Sequence, residues 1–196
     1  MTVTMALVDF IPVILFLIAA VILQRDLYHH MSKGAYALFC AGTIMIIIAG
    51  FLKATWKLLY GAGICDFERL NQMFFPVQSI GFMLAGLAVV ALLTVKQKEV
   101  RTYAAAPIVF TGTMIFVALM SIGCLMLNVG LAVLSARRGK KAGSVIFVIA
   151  FVLMLGMGYL SSKDFTQASM NWIAQGVNIV GQACFLVGTL MLREKK

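Results

Sequence analysis

A polytopic bundle of membrane-spanning α-helices is the fold class this sequence predicts, on three observations. Of 196 residues, 62% belong to the apolar set and 12% are charged, against about 45–50% and about 25% in soluble domains. Mean hydropathy is +1.01. The charges sit in short clusters between apolar runs long enough to cross a bilayer. A chain this short has no aqueous core able to hide so much apolar surface. Disorder, coiled coil, a disulfide-rich secreted module and an ordinary cytosolic enzyme are excluded together.

The first span is expected from Ala6 to Leu23, closed by Gln24, Arg25 and Asp26. The second runs from Ala35 to Leu52 and continues through Lys53, Trp56, Lys57 and Tyr60, residue types that anchor helices at a membrane–water interface. Gly61-Ala62-Gly63 then breaks it, and a polar loop over Cys65-Asp66-Phe67-Glu68-Arg69 leads to a third span, Met73 to Thr94. Thr102 to Ala136 carries no charge and is over-long for one span, so it is read as two with a tight turn around Met120-Ser121-Ile122-Gly123. The last two spans are Ser144 to Leu160 and Trp172 to Leu192.

Seven spans are favoured over six on charge. The net charge is +9. With seven spans and the N-terminus outside, Arg25, Lys33, Lys96, Lys98, Arg101, Arg137, Arg138, Lys140, Lys141, Arg193, Lys195 and Lys196 share the cytoplasmic side. Only Lys53, Lys57, Arg69 and Lys163 stay outside, as the positive-inside bias requires. The expected location is the cell membrane, multi-pass, with a cytoplasmic C-terminus. Bases confined to such loops do not suggest nucleic acid as a partner. Cys40, Cys124 and Cys184 lie in apolar runs and Cys65 in a loop, with neither disulfide nor zinc spacing. The N-terminal run lacks a basic n-region and is read as a retained span.

Two stretches align internally within a single transmembrane domain, 1–196. Lys33 to Leu52 matches Lys141 to Leu160 at an offset of 108, and Asn71 to Leu92 matches Asn171 to Leu192 at an offset of 100. Both matched loops begin Asp-Phe, at Asp66-Phe67 and Asp164-Phe165. Repeat halves of 6–95 and 115–193 around a linker follow. With seven spans they are parallel, an arrangement found in small sugar and vitamin carriers. The Pro-Gln pair of those carriers is absent, so the analogy is one of architecture alone.

The sharpest chemical signal is in the last span. Asn171, Gln175, Asn178 and Gln182 recur at helical spacing along one face. Unsatisfied amides in hydrocarbon cost several kcal/mol each, so the row is expected to face other helices or water. The matching helix carries Asn71 and Gln78, with Phe75 and Phe82 where the other has Gln175 and Gln182. Asn128, Thr111 and Thr113 are further candidates from the middle segment. Interhelical glue, at roughly 0.6 kcal/mol per amide, is the plain alternative. A path lined by carboxamides suits a neutral or zwitterionic solute better than a bare ion, since they offer donors and acceptors without charge.

At the outer rim Trp56, Lys57, Tyr60, Asp66, Glu68, Arg69, Lys163, Asp164 and Trp172 form either an entry vestibule or interfacial anchors. Pro76 fits a first helical turn. Gly81, Gly86, Ala85, Ala88, Gly176 and Gly181 are expected to let helices approach closely, and the Met and Phe residues to pack. Adjacent His29 and His30 point about 100° apart and make a poor metal pair. His30 with Cys40 lacks an orienting third group. No phosphate-binding loop, serine-nucleophile or zinc-protease motif is present, and the last span has no retinal-type lysine. No metal or other cofactor is expected.

The leading functional expectation is a small transporter or channel-like permease for a neutral or zwitterionic polar solute. Its ligand-binding residues would be Asn71, Gln78, Asn171, Gln175, Asn178 and Gln182, with Trp56 and Trp172 at the entry. A non-catalytic sensor or accessory subunit is the alternative, and a membrane-embedded enzyme acting on lipid or peptide the second. Partners are the lipid bilayer, a small polar solute, and another copy of the chain or a partner membrane subunit.

Overall fold

The computed structural model describes residues 2–94, 113–160 and 168–193. Among these the regular structure is all helical: α1 Val3–Val8, α2 Phe10–Leu27, α3 Lys33–Gly61, α4 Glu68–Gln72, α5 Phe74–Thr94, α6 Thr113–Arg137, α7 Lys141–Leu160 and α8 Ala168–Leu192. Five helical stretches are long and apolar enough to cross a membrane, and α7 is a sixth apolar helix. Ile14, Ile18 and Val21 on α2, Ile44 and Ile48 on α3, Val145, Val148 and Val152 on α7, and Val180 and Val187 on α8 form an exposed apolar belt. A soluble monomer rarely exposes so large a contiguous patch. The chain is a membrane-embedded helical protein.

Prolines set two breaks. The first apolar run is interrupted at Asp9, three residues before Pro12. Lacking an N–H, Pro12 cannot bond the Val8 carbonyl, so the helical ladder fails there. The same offset separates Met73, the junction of α4 and α5, from Pro76, which falls in the first turn of α5. Ser32 caps α3, its hydroxyl accepting from Ala35 N–H at 3.3 Å. At 29 residues, α3 is about 44 Å long, so its last turns, with Trp56, Lys57 and Tyr60, rise past a core of about 30 Å. It stops where the expected glycine break lies, with Gly63 at φ +68°.

One expectation is corrected. No turn divides Met120 to Gly123: α6 is continuous through them. Ser121 spends its hydroxyl on Val117 C=O at 2.9 Å. Gly123 serves packing, since a Cβ there would lie 2.5 Å from the backbone of Phe82. Residues 95–112, including Thr111, lie outside the described residues, as do Lys163 and Asp164 of the 161–167 loop; Thr113 opens α6.

The helices form a closed ring in the order α2, α3, α5, α6, α7, α8, with α8 returning to α2. Contacts along each seam give its direction. In the α2–α3 seam, Phe10 meets Phe51 while Tyr28 meets Tyr36, so the pair is antiparallel. The α3–α5 seam is also antiparallel: Gly42 abuts Gly81 and Ala85, and Lys53 lies over Phe74. Its backbones nearly touch, since a Cβ on Gly42 would lie 2.6 Å from Ala85 N and from Gly81 O. The α5–α6 seam is parallel, with Gly123 against Phe82, Gly130 against Val89 and Arg137 Nη1 donating to Leu93 C=O at 3.1 Å. The α6–α7 and α7–α8 seams are antiparallel, through Asn128 with Met154 and Phe147 with Phe185. The closing α8–α2 seam is parallel, through Gln175 with Met5 and Phe185 with Phe16. Gly176, expected at a close approach, faces open space instead.

These directions collect Arg25, Lys33, Arg137, Arg138, Lys140, Lys141 and Arg193 at one end of the ring, with Asp26. Lys53, Lys57 and Arg69 lie toward the other, balanced by Asp9, Asp66 and Glu68. We label the first end basic and the second, after its expected side, outer.

Candidate functional amide layer

The core of the ring is aromatic. Phe16 stacks on Phe185 with centroids 5.5 Å apart and meets Phe82 at 6.4 Å. Phe147 meets Phe185 edge-on at 5.7 Å. Phe39, Phe147 and Phe185 are fully buried. This layer lies between the basic and outer ends of the bundle.

The amides of α5 and α8 lie on its outer side. Along α8 the lipid-facing residues are Ile173, Val180 and Val187, while Ala174, Gln175, Gly181, Phe185 and Thr189 are buried. The row of Asn171, Gln175, Asn178 and Gln182 sits on the inward side, Gln175 buried and the others half-buried. Gln175 Nε2 donates to Met5 C=O at 3.0 Å, joining α8 to α1. Its Oε1 is buried with no donor, and so is Gln182 Oε1. On α5, Gln78 is half-buried one turn outward of Phe82, and its Oε1 likewise lacks a donor. Asn71 is half-buried at the outer end. Asn128 on α6 is fully buried; its Nδ2 donates to Cys124 C=O at 3.0 Å while Oδ1 has no partner. The row therefore faces protein, not lipid. The structure brings α5 and α8 to opposite sides of Phe16, so Gln78 and Gln182 flank the aromatic layer without bonding each other.

The rim divides. Trp56 stacks on Tyr60, centroids 5.8 Å apart, and its indole N–H donates to Asp66 Oδ1 at 3.0 Å. Trp172 stands apart from them, 46% exposed beside Ile173. Glu68 and Arg69 are exposed on α4.

Sequence reasoning passed over Asp9. It lies at the α1–α2 break and its carboxylate pairs with Lys57, both side chains largely buried. Lys53, one turn inward on α3, lies over the Phe74 ring at 4.0 Å. A lone carboxylate inside an apolar run was the available signal, because ionisable groups at that depth are costly and need a partner.

Beneath the aromatic layer, Gln24 Nε2 donates to Thr43 Oγ1 at 2.8 Å. At the basic end Arg138 Nη1 bonds Asp26 Oδ2 at 2.6 Å and Leu192 C=O at 3.2 Å. Lys140 Nζ also reaches Leu192 C=O, at 3.0 Å. Cations at the last carbonyls of α8 sit where the helix dipole favours them. The α6–α7 turn thus ties α2, α5 and α8 together at that end, with Arg137 on Leu93. The chain matches no family model, no curated protein and no solved structure.

Proposed function

We propose that the chain is a small multi-pass transporter or channel-like permease for a neutral or zwitterionic polar solute, which binds in the amide layer on the outer side of the aromatic core. The observation that carries this reading is the set of buried amide oxygens without donors on Gln78, Gln175 and Gln182, with Asn128 on α6 a fourth. A buried acceptor left bare costs about 1–3 kcal/mol. Four of them together rival a whole domain's stability of about 5–15 kcal/mol. Water or a polar solute supplying those donors removes the cost.

The topology we favour has seven crossings, an outer N-terminus and a cytoplasmic basic end in the cell membrane. The parallel α5–α6 seam supports it. Thr94 closes α5 at the basic end, and Thr113 opens α6 at the opposite end, about 37 Å away along α6. The three helices before residues 95–112 (α2, α3, α5) and the three after (α6, α7, α8) alternate direction in the same order, as parallel halves would. Matched positions support a duplication. Ala35, Phe39 and Gly42 are buried on α3, as are Gly143, Phe147 and Ala150 on α7. Gly81 packs on Ile46 and Gly181 on Leu153 and Met154, a match in both offsets at once. Each inter-half seam, α5–α6 and α8–α2, is parallel.

The competing reading, a sensor or accessory subunit, draws on Gln175 and Asn128, whose amide nitrogens already bond helix carbonyls as interhelical glue does. Cysteine labelling separates the two. In a background free of the four native cysteines, Asn178→Cys is expected to react with a membrane-impermeant maleimide from the outer side only. Lys141→Cys is expected to react from the cytoplasmic side only. An unreactive Asn178→Cys overturns the permease reading, and outward Lys141→Cys labelling overturns the orientation.

A further inference from the structure

A cation without a counter-ion stands at the outer part of the α3–α5 seam. Lys53 Nζ lies 4.0 Å from the Phe74 ring centroid and 5.6 Å from that of Phe75. The acid beside it, Asp9, is bound by Lys57, and among the described residues no carboxylate lies within ion-pair distance of Lys53. Two lysines and one aspartate leave one net positive charge. A lysine acting only as an interfacial anchor extends its ammonium into the water layer. Lys53 instead lays it across two rings of the neighbouring helix, whose faces attract cations.

One turn inward on α5, Gln78 follows Phe74 by four residues and Phe75 by three, so the three share a face. Gln78 Oε1 is buried and lacks a donor. An ammonium and an amide oxygen are natural partners, yet no hydrogen bond joins these two. Lys53 wants an anionic acceptor and Gln78 wants an N–H or O–H. An occupant that completes both carries the two functions.

We propose that Lys53 and Gln78 form a binding site for a small group that pairs an oxyanion with a hydrogen-bond donor, the chemistry of an amino acid, a hydroxy acid or a phospholipid headgroup. The oxyanion lies against Lys53 over the Phe74 ring and the donor against Gln78 Oε1. This deepens the proposed function and rests on its premise that Gln78 faces a ligand. Within the neutral or zwitterionic class it selects solutes with a negatively charged end, and it extends the class to small hydroxy anions.

Thermal denaturation of the purified full chain in phosphatidylcholine nanodiscs tests it. Glycine and lactate, which carry both functions, are expected to raise the melting temperature by roughly 5 °C at saturation. Acetate is expected to do less, and glycerol nothing. Lys53→Met is expected to weaken the response at least tenfold and Lys53→Arg to keep it. Should Lys53→Met fail to fold, Gln78→Glu carries the test, since its charge repels the oxyanion and is expected to weaken binding at least tenfold. A second set of nanodiscs containing phosphatidylglycerol separates the sources: a Lys53-dependent rise without added solute assigns the oxyanion to a headgroup. No shift with either source, or an equal shift in Lys53→Met, overturns the site. Lys53-dependent glycine or lactate binding without uptake into proteoliposomes sinks the permease reading and leaves the site standing. Uptake indifferent to Lys53→Met sinks the site alone.

Discussion

Arg138 donates to Asp26 at 2.6 Å across 112 residues of chain, closing the ring at its basic end. The pair joins the α6–α7 turn to the end of α2, and the same guanidinium reaches the last carbonyl of α8, that of Leu192. Its side chains are 13% and 9% exposed, so both charges are largely removed from water. Removing either partner is expected to cost about 2 kcal/mol, below the value for fully buried pairs. Arg138→Met and Asp26→Asn each lower the melting temperature by about 4–8 °C. The double variant loses less than the sum, which a double-mutant cycle in detergent will measure.

Gln182 and Gln175 respond oppositely to leucine. Gln182 Oε1 has no donor, so Gln182→Leu removes a bare acceptor. It is expected to leave stability unchanged or raise it by up to about 1 kcal/mol. Gln175→Leu also removes a bare acceptor but breaks the bond to Met5 C=O, and is expected to cost up to about 1 kcal/mol. Paired denaturation curves check both, and equal destabilisation would show Gln182 to be glue.

Two glycines separate packing from propensity. A Cβ on Gly42 would lie 2.6 Å from backbone atoms of α5, and none of these is a flexible side chain. Gly42→Ala must push two helices apart and is expected to cost about 1–3 kcal/mol. Gly176 has nothing within 4 Å of its added Cβ. Gly176→Ala is expected to stabilise by about 0.5–1 kcal/mol through helix propensity alone. The two melting temperatures should move in opposite directions.

Asp9→Asn removes the counter-ion of Lys57 beside Lys53, leaving two cations on successive turns of α3. It is expected to lower stability by about 2 kcal/mol. Asp9→Asn combined with Lys57→Met is expected to recover much of the loss. Denaturation at neutral pH reads both; no recovery would place the cost in the α1–α2 break instead.

Much of the bundle is legible along the chain because a bilayer imposes length and composition locally. Leu52 to Gly63 shows where the second span leaves the core and breaks, since Lys, Trp, Tyr and paired glycines act within one or two turns. The inward side of the amide row is legible for the same reason: Asn171 to Gln182 repeats at helical spacing, and oil rejects amides whatever the neighbours. Two features are not local. Asp9 looks like one stray charge in an apolar run until Lys57, far along the chain, is beside it. Gly123 resembles a turn residue until α5 lies against it.

Composition and periodicity alone determined that this is a membrane bundle, where α3 stops and which side of α8 avoids lipid. These follow from each residue's own transfer free energy between water and hydrocarbon. The ring order, the parallel α5–α6 seam, the aromatic layer around Phe16 and the partners of Asp9 and Asp26 were decided by tertiary structure. They depend on close fit between distant helices, and lipid tails, as apolar as the side chains themselves, leave that choice to packing and to the pairing of polar groups.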